Sequence, residues 1–183
     1  SVDHNSLGYI TNWVITRFAS NAAQNVWYSE HGKIPALTDA SHRPIISTPT
    51  GKPSIGLKGS TAETSFSTLV DGETYDLTFY AAHYHFNASN TGDAGQKLVV
   101  KVKQVVPITG LVEETLYNDY PTRIASNTDT VPYFQYISLP FTASGTGNVT
   151  TVSFSYAEGG NPNRNMFISD VQVISSSPPQ ATD

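Results

Sequence analysis

The chain has 183 residues, no cysteine and a formal net charge of −5. This acidic balance, with ten scattered basic residues, argues against a nucleic-acid-binding surface and against a polybasic membrane anchor. The absence of cysteine excludes a disulfide scaffold and a thiolate metal site. No apolar run approaches the roughly 20 residues of a membrane-spanning helix, so membrane insertion is not expected.

Charged residues make up only 14% of the chain, whereas aromatic residues make up 11%. This balance is typical of strands and polar loops rather than of long helices, which need Ala, Leu, Glu and Lys. A single domain over residues 1–175 is the economical arrangement for this length. Residues 176–183, which contain two consecutive prolines, are expected to form a tail or linker.

The first third of the chain predicts short strands and one long loop. Strands are expected at residues 8–16, 25–29, 44–47 and 53–58, where aromatic and β-branched residues cluster between turn signals. Residues 30–44 show no steady period and predict a long loop.

The clearest pattern lies at residues 74–81. Alternate positions are apolar there, which is the period of a half-buried strand. The predicted core side carries Tyr75, Leu77, Phe79 and Ala81. Because Asp71-Gly72 is a turn signal, the pattern predicts a hairpin between a strand at 66–70 and this core strand.

The second half of the chain predicts more strands. Alternation or β-rich composition indicates strands at residues 97–105, 133–141, 149–156 and 166–174, and long polar loops at 118–130 and 158–165. Residues 111–117 fit either a strand or a single helical turn. The sum is an all-β fold, a single antiparallel two-sheet sandwich.

The order and spacing of several motifs resemble the galactose-binding-like jelly rolls. The motifs are Asn5, Gly8 and Trp13, then Gly51, Ser54, Ile55 and Leu57, then residues 69–81, 133–143 and 167–173. This family includes carbohydrate-binding modules of secreted glycoside hydrolases and related adhesin and phage-tail modules. The resemblance implies a jelly-roll β-sandwich in an extracellular or surface-displayed protein that binds a glycan or polysaccharide.

The resemblance also implies a structural calcium ion held by Asp170 in the closing strand. The remaining ligands would come from Asp3, Asn5 and the region of Gly51. The chain departs from the family pattern, because the acidic residue expected after the N-terminal Asn and Gly is replaced by Tyr9 or Ile10. The alternative is an Asp170 that is solvated or hydrogen-bonded without metal.

One candidate binding site is the outer face of the predicted central strands. Alternation places Tyr80, Tyr84, Phe134 and Tyr136 away from the core. Aromatic rings on one sheet face can stack on the apolar faces of sugar rings, and Lys101 is a candidate polar neighbour. The alternative is that the long loops cover these rings.

A second candidate site is carried by loops. Trp27 and Tyr28 stand before the first long loop, and Asn163 and Arg164 lie in the last one. Loops at one end of a sandwich often converge on a ligand, and Arg164 could hydrogen-bond a ligand oxygen. For Trp27 the alternative is a core position, where large aromatic residues usually pack.

Catalytic patterns are absent from the sequence. It contains no Gly-x-Ser-x-Gly elbow, no His-Glu-x-x-His motif and no phosphate-binding glycine loop. Glu113 and Glu114 are adjacent, so in a strand they point to opposite faces. We therefore expect a non-catalytic carbohydrate-binding domain. The alternatives are a domain of an adhesin or of a viral or phage surface that binds a protein or peptide, or a structural spacer.

Overall fold

The computed structural model describes residues 2–3, 12–17, 26–29, 33–34, 46–52, 54–57, 59–85, 97–121, 123–124, 134–145, 149–156 and 164–176. All regular elements among these residues are strands. In chain order they are β1 (Val2–Asp3), β2 (Val14–Arg17), β3 (Val26–Ser29), β4 (Lys33–Ile34), β5 (Ile46–Ser47), β6 (Ser54–Leu57), β7 (Ser60–Phe66), β8 (Thr74–His85), β9 (Leu98–Val106), β10 (Gly110–Asp119), β11 (Arg123–Ile124), β12 (Gln135–Thr142), β13 (Thr150–Tyr156) and β14 (Arg164–Ser175). In this part of the chain no helix is long and apolar enough to cross a membrane.

Two sheets form the sandwich. The first sheet has the order β1-β3-β6-β14-β8-β11, and β12 also pairs with β8. The second sheet has the order β10-β9-β13-β7-β2, and β4 and β5 form a separate small ribbon. Neighbouring strands are antiparallel except β11, which pairs in parallel with β8. The predicted all-β, two-sheet jelly-roll class is confirmed.

The core lies between the sheets and follows the predicted alternation. Leu77 and Phe79 of β8 are fully buried on the first sheet, and Val100 of β9 and Phe154 of β13 are fully buried on the second. Ile137 of β12 is also buried. Because every second residue of these strands points inward, the other residues form the two outer faces of the sandwich.

The predicted hairpin around Asp71-Gly72 is wrong. The turn exists, since the Glu73 N–H donates to the Val70 carbonyl at 3.1 Å, but β7 and β8 belong to different sheets. The Gly72 N–H donates instead to Ala143, just beyond β12, at 2.8 Å. The chain therefore crosses from one sheet to the other here, which a turn signal cannot distinguish from a reversal within one sheet.

The structure also resolves the ambiguous segment and shifts some boundaries. Residues 111–117 belong to β10, which forms an antiparallel hairpin with β9. Within the predicted strand at 8–16, residues 8–11 lie outside the described part of the chain. The observed strand β2 begins at Val14. The predicted loops at 30–44 and 118–130 contain the short strands β4 and β11.

Candidate functional site

Two tyrosines face each other on the outer side of the first sheet. Tyr80 of β8 and Tyr136 of β12 are direct cross-strand partners. Their ring centroids are 5.3 Å apart, and the ring planes are inclined at 59°. Tyr136 is 54% exposed, and Tyr80 is half-buried. Their outward position follows from the burial of Phe79 and Ile137, the preceding residue of β8 and the following residue of β12.

Polar side chains of β12, β8 and β14 extend this surface. Thr78 lies opposite Ser138 on one side and opposite Gln172 of β14 on the other. Thr78 is only 5% exposed, whereas Ser138 and Gln172 are exposed. We call Tyr80, Tyr136, Thr78, Ser138 and Gln172 the tyrosine face. It combines an aromatic surface with neutral hydrogen-bonding groups.

A β-bulge in β14 borders the tyrosine face. The register of β14 against β8 shifts between Ser169 and Gln172, and Asp170 has a φ of 52° there. Lys52 Nζ and Gln172 Nε2 each donate to Asp170 Oδ1 at 2.7 Å. Burial favours a higher pKa for Asp170. The hydrogen bonds and the charge of Lys52 outweigh it, and they hold the pKa of that carboxyl below its ordinary value.

Asp170 forms an ion pair with Lys52, and calcium binding by Asp170 stays a prediction. Calcium requires several oxygen ligands. Lys52 and Gln172 donate to Asp170 Oδ1 through nitrogen, and the Thr50 side chain also hydrogen-bonds to Asp170. The side chain of Asp170 is only 10% exposed beside the Lys52 ammonium. Gly51 adjoins this ion pair with a φ of 69°. Asp3 lies in β1, and Asn5 is outside the described residues.

Trp27 belongs to the same sheet as the tyrosine face. In backbone register, Trp27 of β3 lies opposite Gly56, Gly56 lies opposite Phe167, and Phe167 lies opposite Ala82. This row lies two residues along β8 from the row of Tyr80. Tyr28 pairs with Ile55 in the alternate row. Trp27 and Tyr28 of one candidate site therefore share a sheet with Tyr80 and Tyr136 of the other.

Lys101 does not lie beside the tyrosines. It is on β9 of the second sheet, where its ammonium lies 3.3 Å from the Glu113 carboxylate. Alternation predicts the face of a strand but not the sheet that contains the strand. The prediction that Lys101 is a polar neighbour of Tyr80 and Tyr136 is therefore wrong. Gln172 occupies that position instead.

The remaining predicted residues fall at the far end of β8. Tyr84 pairs with Asn165, and Arg164 pairs with His85, so Tyr84 and Arg164 occupy adjacent rows of the first sheet. Phe134 is half-buried and immediately precedes β12. Asn163 lies outside the described residues.

The buried His83 of β8 contacts two tyrosines, Tyr156 and Tyr120. His83 Nε2 and the Tyr156 hydroxyl are 2.9 Å apart, and both residues are fully buried. Tyr120 stacks on the His83 ring at 6.3 Å. Among the described residues there is no group of three or more His, Cys, Asp or Glu side chains that could hold a metal ion.

Sequence reasoning missed Gln172 and Lys52 for different reasons. Strict alternation from Phe167 would place Val171 outward, but the bulge shifts the pattern so that Gln172 pairs with the outer-face residue Thr78. Lys52 contacts Asp170 across 118 positions of sequence. No local pattern indicates a contact at that separation.

The comparisons with known proteins concern the fold. No family model matches the chain, and no curated protein matches it. The CBM22-1–GH10 modules of endo-1,4-β-D-xylanase 10B from Clostridium thermocellum, complexed with xylohexaose, match with a TM-score of 0.55 and 10% identity over 91% of this chain. The chain spans only 26% of that xylanase chain.

Two further solved structures are similar. The CBM22-1 xylan-binding domain of Xyn10C from Paenibacillus barcinonensis matches with a TM-score of 0.53 and 10% identity, over 93% of this chain and 90% of that one. The CBM22-1–CBM22-2 tandem domain of Xyn10C matches with a TM-score of 0.52 and 9% identity, over 100% of this chain and 47% of that one. At these identities the likeness establishes the class of fold, a jelly-roll sandwich of the kind seen in carbohydrate-binding modules.

Proposed function

We propose that this chain is a non-catalytic carbohydrate-binding domain that holds a glycan against the tyrosine face. The observation that carries the proposal is the Tyr80–Tyr136 pair, in which an exposed ring and a half-buried ring lie 5.3 Å apart. Aromatic rings offer a large apolar surface with a polar tip. That combination suits a sugar ring, which has an apolar face and hydroxyl groups at its edge.

Neutral polar groups complete the proposed site. The Thr78 hydroxyl has no side-chain hydrogen bond to any other described residue, so it can serve a ligand. Ser138 and Gln172 flank it on the neighbouring strands. Hydroxyl and amide groups both donate and accept hydrogen bonds, as sugar hydroxyls do. The site therefore favours a neutral polysaccharide over a charged one.

The structural neighbours support the choice of ligand class. One neighbour is described as a xylan-binding domain, and another was solved in complex with xylohexaose. Xylan fragments are therefore the first probes for this chain. We further propose that the domain works outside the cell or at its surface, as an accessory module of a larger protein, because polymeric substrates are met there.

Protein binding is the second candidate function. The hairpin between β9 and β10 ends in Ile108, which is fully exposed and has a φ of 72°. Val105 and Leu111 lie opposite each other just before the tip, and both are exposed. Exposed apolar residues grouped at one end of a domain are typical of contact surfaces for proteins.

Calorimetric titration with xylohexaose, cellohexaose and mannohexaose tests the first candidate. We expect at least one of these sugars to bind, and Tyr136→Ala to weaken binding about fivefold or more through loss of stacking. Tyr136→Phe keeps the ring and should retain most of the affinity. Leu111→Ala is the matched control, since it removes an exposed apolar residue from the second sheet. Absence of binding by all three sugars to the folded protein would reject the proposal.

A further inference from the structure

The second sheet carries a groove on its outer face, opposite the tyrosine face. The groove has a volume of about 520 Å³, within the range of small-molecule sites. It is lined by Thr16, Thr61, Glu63, Val99, Lys101, Lys103, Glu113, Ser153 and Ser155. We call these nine residues the hydroxyl groove. Eight of them have polar side chains, and none is aromatic.

Hydroxyl groups form a row across three strands of this groove. Thr16 of β2 lies opposite Thr61 of β7, and Thr61 lies opposite Ser155 of β13. The Thr61 hydroxyl donates to the Ser155 hydroxyl at 3.0 Å. The hydroxyls of Thr61 and Ser155 are thus ordered before any ligand arrives.

Ser153 provides an independent sign that the groove accepts a ligand. It is 4% exposed and lines the groove between Glu63 and Lys101 in the adjacent row. Within the described part of the chain its hydroxyl has no side-chain hydrogen bond. Buried hydroxyls normally have a partner, so this hydroxyl has capacity for a ligand atom or a bridging water.

The charges of the groove are compensated within the protein. Lys103 pairs with Glu63, and it lies 3.9 Å from Glu113. Lys101 lies 3.3 Å from Glu113. An anion would meet two carboxylates here, and a cation would meet two ammonium groups, so either ion would have to disrupt existing pairs. A neutral molecule with many hydroxyls can hydrogen-bond to all of these groups without separating them.

We infer that the hydroxyl groove is a second binding site, specific for a neutral oligosaccharide and independent of the tyrosine face. Because the nine described lining residues include no aromatic ring, recognition there rests on hydrogen bonds to sugar hydroxyls rather than on stacking. With sites on opposite faces, one domain can contact two polysaccharide chains at once. This arrangement raises retention on an insoluble polymer through multivalency.

The test is a two-dimensional amide NMR titration of the whole chain with xylohexaose, cellohexaose and mannohexaose. We expect shifts around the groove with at least one sugar, and these shifts persist in Tyr136→Ala. Ser153→Ala and Thr61→Val should each weaken this site about fivefold to tenfold, through loss of a hydrogen-bonding group. Thr151→Val is the matched control, because Thr151 lies on the same face outside the groove lining.

The outcomes separate this inference from the proposed function. Shifts confined to the tyrosine face with all three sugars overturn the second site and leave the first in place. Shifts confined to the groove support the second site and reject the first. Groove shifts that are unchanged in both Ser153→Ala and Thr61→Val, or no shifts with any sugar, also overturn the inference.

Discussion

The rings of Phe79 and Phe154 meet edge to face between the two sheets, with centroids 5.0 Å apart and planes at 85°. Phe79 is on β8 of the first sheet, and Phe154 is on β13 of the second. Both are fully buried. This contact joins the strand that carries Tyr80 to the strand that carries Ser153, so it supports both proposed binding faces from within.

Removal of this contact should strongly destabilise the domain. Phe79→Ala leaves a cavity in the core, and we expect it to lower the free energy of unfolding by about 3–5 kcal/mol. Urea denaturation followed by tryptophan fluorescence measures the change. Leu111→Ala serves as the control, since an exposed truncation should change stability by about 0.5 kcal/mol or less. Similar losses in the two variants would contradict the central place of Phe79 in the core.

Gly145 should tolerate alanine much less than Gly72 does. Both glycines have positive φ, 115° and 81° respectively. A Cβ at Gly145 would overlap the Val105 carbonyl oxygen, whereas a Cβ at Gly72 would meet open space. Gly72→Ala should therefore cost about 1–2 kcal/mol from its backbone conformation, and Gly145→Ala should cost clearly more. Urea midpoints of the two variants provide the comparison, and equal midpoints would show that the backbone near Val105 moves aside freely.

The ion pair of Asp170 with Lys52 should make stability depend on pH in the acidic range. Because the pKa of Asp170 is lowered in the folded protein, the carboxylate contributes stability above its unfolded pKa of about 3.9. That contribution is lost as the pH falls from about 4 through the folded pKa. The stability difference between the native chain and Asp170→Asn should thus be largest at neutral pH and shrink in acid. Asparagine tolerates the positive φ at this position, so the backbone is preserved.

Urea unfolding at a series of pH values measures this difference. Glu114→Gln is the matched control, because it removes a carboxylate from exposed strand β10 and leaves the ion pair intact. A difference for Asp170→Asn that stays constant down to strong acid would contradict the ion-pair assignment.

Calcium removal should leave the thermal stability of the domain unchanged. The Lys52 ammonium already supplies a positive charge at Asp170 Oδ1, which is where the family resemblance predicts calcium. A calcium site saturated at about 100 times its Kd would add about 2.7 kcal/mol of stability. Differential scanning calorimetry in excess calcium and in excess chelator distinguishes the cases. A higher unfolding temperature in calcium would support the metal-site prediction for Asp170, Asp3, Asn5 and Gly51.

Much of the fold could be predicted because sheet faces follow a period of two. The alternation at residues 74–81 correctly placed Leu77 and Phe79 inward and Tyr80 outward. The same reasoning correctly placed Ile137 inward and Tyr136 outward on β12. These are local properties of a strand, since successive side chains must point to opposite faces.

Only the tertiary structure decided which strands lie side by side. In it, Tyr136 lies opposite Tyr80, Lys101 lies on the second sheet, and β7 and β8 belong to different sheets. The period of a strand is the same in either sheet, so it contains no information on this choice. The bulge at Asp170 and its ion pair with Lys52 likewise depend on contacts between distant segments. Sequence by itself determined the faces of the regularly alternating strands, and long-range packing determined which faces meet to form a site.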